Sequence, residues 1–392
     1  MTDVVGEEVV RAAYRRGQRK IVVDSQAIIT PQAFDAADRL SMRLVRAEPT
    51  AAPPLSTSPG RALNRTLYRR HPGFVPTARH TNVRANPLSK VAILGAGGQG
   101  SALAGLLAST SAAERVSIID LIPGLAESVA IDIQHASSLM STNVRVTGSG
   151  TIAQLDGAHV VVVTPEAAGL PGRTGLLIGE TAIAAEAIAT HAPDAVIVFG
   201  GWPSEVFTER LRSIGNFAPE RVLGTGATLA TSRLINAIAA FLNVQQAEID
   251  AIAMGIDGRY FPVLSASRVR GRPLSSLLGP TELDAVMALA ANAAQHVQSL
   301  RASRPPSVAP AHAALGVISA IRGARPGPIP VSIALDGAYG IDSGVIGITA
   351  HLSAQGVRAP VELPLSDNEL KELRDAAETF QGELTALAEL PD

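Results

Sequence analysis

The sequence predicts an α/β protein: a parallel sheet covered by helices on both faces, preceded by a separate N-terminal segment. Three observations carry this. From Ser89 onward, short β-branched runs alternate with helical patterns. The runs are VAIL (91–94), VSIID (116–120), VVVVT (160–164), AVIVF (195–199), RVLG (221–224) and IDAIAMG (249–255). The earlier ones are apolar without alternation, the mark of strands buried on both faces. Finally, residues 46–88 differ in kind from what flanks them and set the first 45 residues apart.

In chain order, Asp3 to Arg16 reads as a helix with Val5, Val9 and Ala13 on one face. A short strand follows (IVVD, 21–24), then a helix begun by Thr30 as N-cap and Pro31 at its first position, and an apolar stretch ending near Val45. Residues 46–88 carry seven prolines and seven arginines against one acid, Glu48. That composition reads as a disordered basic tether of solvated linker charges. After Tyr260 come Ala-rich helices, a meander (IPVSIALDG, VIGITAHLS, VELPLS) and a closing helix from Ser366, where Asp367 and Glu369 complete a capped start. The domain reading is 1–45, an N-terminal extension; 46–88, a linker; 89–231, a nucleotide-binding domain; and 232–392, a substrate-type domain.

Bulk composition narrows the function. The chain has 33 basic and 35 acidic residues, and this near balance gives no reason to expect nucleic acid or a membrane surface as partner. It contains no cysteine, which excludes disulfides, thiolate catalysis and cysteine-ligated metals, and no metal site is expected. No apolar run approaches the roughly 18 residues of a transmembrane helix. The first residues are acidic and lack a continuous apolar core, unlike a secretory signal. A soluble, cytoplasmic protein is expected.

The segment KVAILGAGGQGSALAGLLA places Gly95, Gly97 and Gly100 as G-x-G-x-x-G between an apolar strand and a helix. The first glycine permits the tight turn, the second lets backbone approach a pyrophosphate, and the third lets helix pack on strand. The helix start then offers N–H groups and its positive dipole end to the phosphates. Alone the motif is weak in a chain with 35 glycines. Its context strengthens it, because the second strand ends in Asp120. A carboxylate there accepts ribose hydroxyls and repels a 2′-phosphate, which favours NAD over NADP. A Rossmann-type unit beginning at Lys90 and binding NAD is therefore expected, with Thr164, closing the third run, as a further cofactor-side residue.

From Lys90 to Leu387 the chain resembles the lactate/malate dehydrogenase family. The segments that carry the likeness, in order, are IIDLIPGLAESVAIDIQHA, HVVVVT, HAPDAVIVFGGWPSEV, ERVLGTGATLATSRL, SIALDGAYGIDSGVIGITAHLSAQGV and LSDNELKELRDAAE. The resemblance implies a Rossmann domain followed by that family's α+β C-terminal domain, and hydride transfer between nicotinamide and a 2-hydroxy or 2-keto acid. It also implies a homo-oligomer. Such chemistry needs a proton donor titrating near neutrality, supplied in the family by a histidine that an aspartate orients. One arginine holds the substrate carboxylate and another, on a closing loop, polarises the carbonyl.

Carried over residue by residue, the likeness is uneven. The carboxylate-binding arginine corresponds to Arg233, but the aspartate three residues earlier is Ala230. The histidine corresponds to Asp257. The loop AGLPGRTG has Gly169 and Gly175 where the family has arginines, with Arg173 two residues short of the second. Trp202 stands for the asparagine before Pro203. An unperturbed aspartic acid titrates near 3.9 and is a poor donor for ketone reduction; burial would change that. His135, His159 and His191 read as structural, and His312 as a candidate replacement acid. Two readings stay open: a dehydrogenase with Asp257, Arg233 and Arg173 in its catalytic centre, or an inactive NAD-binding scaffold or sensor.

The N-terminal segment VVRAAYRRGQRKIVVDSQAIITPQAFDAADRLSMRLVR is similar to segments of proteins associated with bacterial microcompartments, through Ile29, Thr30, Pro31, Ala33 and Asp35. The likeness implies a microcompartment shell or cargo partner for residues 1–45. An oligomerisation arm is the plainer alternative.

Overall fold

The computed structural model describes residues 4–23, 28–46, 87–165, 172–300 and 305–389. The chain divides into two units, residues 1–77 and 78–392. Most of the expected tether, with Asp24 and Gly169, lies outside the described residues.

The N-terminal unit repeats one β-α-β pattern twice. The first half holds Val4–Val5 (β1), Glu7–Arg15 (α1) and Lys20–Val23 (β2), and the second holds Ile28–Ile29 (β3), Pro31–Arg39 (α2) and Arg43–Arg46 (β4). Strand β1 pairs with β3 and β2 with β4, both in parallel. Matching hydrogen bonds close the two helices: Gln18 N–H donates to Ala13 O, and Met42 N–H to Ala37 O. Each turn after the helix passes through positive φ, at Gly17 (77°) and Ser41 (51°). Thr30 caps α2 by accepting from Ala33 N–H at 3.3 Å. The first helix is shorter than expected, because Val4 and Val5 are spent on β1. Its buried residues are Val10 and Ala13, while Val9 is 42% exposed, so the apolar face is rotated from the Val5–Val9–Ala13 stripe. Val10, Ala13, Ala33, Ala36, Ala37 and Met42 form the unit's own small core.

The body carries a nine-stranded sheet. In chain order its first elements are Val91–Leu94 (β5), Gly98–Ser109 (α3), Arg115–Ile119 (β6), Leu125–Ala136 (α4), Arg145–Ser149 (β7), Val160–Val163 (β8), Thr174–His191 (α5), Val196–Phe199 (β9), Ser204–Ile214 (α6), Val222–Gly224 (β10) and Gly226–Leu242 (α7). These six strands are parallel, in spatial order β10-β9-β8-β5-β6-β7. This is the doubly wound order, with its switch point between β5 and β8. The expected strands over residues 91–224 all form. Strand β7 was not anticipated: RVTGS is an edge strand, short and polar, without the apolar signature of its neighbours. Residues Val160 to Val163 and Val196 to Phe199 are fully buried, as strands covered on both faces must be.

The sheet continues into the C-terminal half. After Ile249–Asp250 (β11), Ala253–Met254 (β12), Phe261–Pro262 (β13), Arg268–Val269 (β14), Arg272–Pro273 (β15), Pro280–Leu300 (α8) and Val308–Ile321 (α9), three antiparallel strands join the edge at β10. They are Ile329–Leu335 (β16), Gly344–Ser353 (β17) and Gly356–Pro360 (β18), and Asp367–Ala388 (α10) closes the chain. Two expectations are corrected here. IDAIAMG forms no strand of the main sheet but two short strands in separate small sheets, β11 with β14 and β12 with β13. The third meander strand is Gly356–Pro360 rather than VELPLS, because the tight turn after Ser353 brings residues 356–360 directly onto β17. The capping box at Ser366 and Glu369 forms as expected, with Ser366 N–H donating to Glu369 Oε2 at 2.7 Å.

Candidate active site

The glycine turn lies at the switch point. Gly95 has φ of +107°, and Gly100 packs so tightly on it that a Cβ there would collide with Gly95 O. Thr164, at the end of β8, locks the turn: its N–H donates to Leu94 O at 2.8 Å, and its hydroxyl reaches Leu94 O at 3.0 Å and Gly95 O at 3.1 Å. Thr164 thus braces the loop and its hydroxyl is already engaged. Gly97 is the extended N-cap of α3 and has no capping side chain, so the first-turn amides are available to an anion. Asp120 follows β6. Its Oδ2 accepts from Ala96 N–H at 2.7 Å and its Oδ1 from Ile122 N–H at 2.9 Å, which fixes the carboxylate beside the glycine turn. Gly95, Asp120, Ile122, Ile152, Thr164 and Ile183 line a cleft of about 240 Å³. The cleft's apolar wall and fixed carboxylate, with the uncapped helix amides that follow Gly95 in the chain, fit the adenine, ribose and phosphates of a dinucleotide.

A second polar centre forms where β9, β10 and β16 approach the turn after β12. Gln99, inside the glycine motif, donates to Gly200 O at 3.0 Å and ties this region to the phosphate loop. Beyond Gly200 the chain passes Trp202 and enters α6 at Ser204. The Ser204 N–H donates to Asp257 Oδ2. The next residue, Glu205, is 1% exposed. Its Oε2 accepts from Asp257 N–H at 3.0 Å, and its Oε1 accepts from the hydroxyls of Tyr260 and Ser332. Glycine at 226 makes room, since a Cβ there would press on Glu205 Oε1 and the Tyr260 hydroxyl. Gly255, at φ +121°, turns the chain so that Asp257 faces α6, and it pairs with Gly347 through two backbone hydrogen bonds.

Electrostatics follow from burial. Burial and then the charge of Glu205 push the Asp257 carboxyl well above the usual carboxylate range, against the opposing pull of the Ser204 amide and Arg233. Burial and the same two carboxyls push the Tyr260 hydroxyl up. Arg233, on α7, is lowered by burial and supported by Asp257 and Tyr260. Among the described residues it has neither a hydrogen bond nor an ion pair.

The structure therefore brings together Asp257 and Arg233 on one side, and Gly95, Gly97, Gly100, Asp120 and Thr164 on the other. Arg173 is exposed at the N-cap of α5, and Gly175 is exposed within that helix. His312 is exposed, with Nδ1 bonded to Val308 O in its own helix, which offers no support for a role as replacement acid. His159 bonds Ala354 O and His191 bonds Asp156, both tying surface segments together, and His135 is exposed on α4. Ala230 is buried in the apolar cluster behind α7. Sequence reasoning missed Ser204, Glu205, Tyr260 and Ser332. Glu205 reads in sequence as an ordinary first-turn acid; its only signal was the position directly after WPS.

Residues 89–224 match the model of the lactate/malate dehydrogenase NAD binding domain, and residues 227–390 that of the lactate/malate dehydrogenase alpha/beta C-terminal domain. The malate dehydrogenase of Staphylococcus carnosus is 32% identical over 306 residues, covering 76% of this chain and 98% of that protein. The malate dehydrogenase structure from Aeropyrum pernix is 28% identical with a TM-score of 0.72, covering 76% of this chain and 97% of that one. A Cryptosporidium parvum lactate dehydrogenase complexed with lactic acid and nicotinamide adenine dinucleotide shares the fold, at 24% identity and a TM-score of 0.74 over 78% and 99% of the two chains.

Proposed function

The chain belongs to the lactate/malate dehydrogenase family, and from that premise we propose that it is an NAD(H)-linked oxidoreductase of 2-hydroxy and 2-keto acids in which Asp257 replaces the histidine as proton donor and acceptor. Residues 89–224 are an NAD-binding domain of that family, and among the described residues no helix is long and apolar enough to cross a membrane. The observation that carries the proposal is the Asp257 carboxyl, held at the start of α6 beside Glu205 and pushed upward in proton affinity by its surroundings.

The first-turn amides of α3 hold the pyrophosphate and Asp120 the ribose. When bound, the cofactor supplies or accepts the hydride at its nicotinamide ring. Arg233, half-buried and without a hydrogen-bonded partner among the described residues, holds the substrate carboxylate. As the keto carbon gains hydride, Asp257 gives its proton to the keto oxygen and becomes a carboxylate; oxidation runs the reverse. A neutral Asp257 also removes the repulsion that a second anion beside Arg233 would impose on the substrate. With Gly175 at an arginine position and Arg173 exposed, polarisation of the carbonyl is weak. Loss of one such group lowers turnover by roughly 100- to 1000-fold.

A second reading, NAD(H) binding without turnover, is favoured by Ala230, which removes the family's orienting carboxylate. One experiment decides between them: titration with NADH, then NADH oxidation with pyruvate, oxaloacetate and related keto acids. Slow turnover with at least one substrate is expected. No turnover across that panel by a protein that binds NADH would overturn the catalytic reading and leave the binding one.

For the N-terminal unit we propose docking to a protein partner of a bacterial microcompartment. Its support is a small core of its own together with large hydrophobic side chains left exposed, Val9, Tyr14, Val22 and Phe34 among the described residues.

A further inference from the structure

The family pairs its catalytic acid with a carboxylate three residues before the substrate arginine, and here that position is Ala230, buried among apolar side chains. A carboxylate meets Asp257 from a different element. Glu205 sits in the first turn of α6, and its two oxygens receive three donors: the Tyr260 hydroxyl, the Ser332 hydroxyl and the Asp257 amide. An ionised carboxylate only accepts, so a buried site furnished with donors alone suits the charged form. Asp257 has one backbone donor, the Ser204 amide, and two carboxyls this close do not both ionise readily.

We propose that Glu205 is the positioning partner of Asp257: the two carboxyls share one proton, the charge resting on Glu205 and the transferable proton on Asp257. The acid pair has thereby moved from the α7 position of Ala230 to the start of α6. This rests on the reading of Asp257 as the acid, and it adds the residue that keeps the proton there. The other groups around the pair are Arg233 from α7, Tyr260 and Arg259 from the turn after β12, and Glu383 from α10. Glu383 is itself raised by burial and by Glu205, and lowered by Arg259. None of these bonds the Asp257 backbone; among the described residues, Glu205 alone does so and also opposes ionisation of its side chain.

The chain provides its own probe. Trp202 is the only tryptophan, is 46% exposed, and lies two residues before the amide that holds Asp257. Its fluorescence is titrated from about pH 4 to 9, a span that runs from the ordinary carboxylate range upward, in the full-length protein and in Glu205→Gln and Asp257→Asn. In the unsubstituted protein an inflection well above that range is expected; Asp257→Asn abolishes it, and Glu205→Gln moves it at least one pH unit toward acid. Where a keto acid turns over, the alkaline limb of kcat/KM for reduction moves with it, which a purely structural glutamate would not cause. Circular dichroism checks folding, and should Glu205→Gln not fold, Glu205→Asp, which withdraws the charge by one methylene, shifts the inflection the same way. An inflection unmoved by either substitution, or absent from the start, overturns the pair. Failure of every substrate overturns only the catalytic reading, because the fluorescence titration stands without turnover.

Discussion

Gly100→Ala is the sharpest test of the cofactor site. The added methyl would overlap Gly95 O by roughly 1.5 Å relative to ordinary van der Waals contact, and would sit 3.0 Å from both Gly95 C and Thr164 Oγ1. None of these atoms can give way alone. Gly95 O belongs to a turn at positive φ, and Thr164 is anchored to it through Leu94 and Gly95. Helix α3 must therefore back away from β5. Overpacking of this kind costs about 1–3 kcal/mol. For a unit of this size that lowers the melting temperature by several degrees. The displaced amides also lose registry with the pyrophosphate, and at ~1.5–3 kcal/mol for hydrogen bonds to a charged group, NADH affinity falls by about 10- to 150-fold. Melting curves with and without NADH, together with isothermal titration, measure both effects. A variant that binds NADH as the parent does, whatever its melting temperature, would refute the placement of the phosphates on this turn.

Two further outcomes are expected. Asp120→Ala should weaken NADH by about 10- to 100-fold through loss of charge-assisted bonds to the ribose, and should narrow the preference over NADPH because the repulsion of a 2′-phosphate is removed. Equal losses for the two cofactors in parallel titrations would count against Asp120 as the ribose carboxylate. Removal of residues 1–77 should leave NADH affinity within about twofold but abolish co-purification with microcompartment shells in a host that makes them. Shell association that survives the deletion would sink the docking role.

Of the fold, the parallel half was legible because its strands are buried on both faces and so announce themselves as unbroken apolar runs. VVVV at 160–163 and VIVF at 196–199 have no other use. The glycine turn was legible for a related reason: close backbone approach leaves no alternative to glycine at 95 and 100. Strand β7 was not, since RVTGS at an edge has no need of an apolar pattern. In the meander, residues 356–360 rather than VELPLS form the third strand, because the tight turn after Ser353 dictates which residues reach β17.

The sequence by itself determined that this chain carries a dinucleotide turn and an acid after the second strand, and through the family resemblance it raised the expectation that Asp257 stands in place of a histidine. It left the chemistry of Asp257 undecided, because the proton affinity of a carboxyl belongs to its surroundings rather than to the residue. Only the tertiary structure supplied those surroundings. It folds Glu205 against Asp257 across 52 positions and brings Ser332 to Glu205 across 127. Burial and one neighbouring charge push the Asp257 carboxyl well above the usual carboxylate range, the condition that the proposed proton transfer requires.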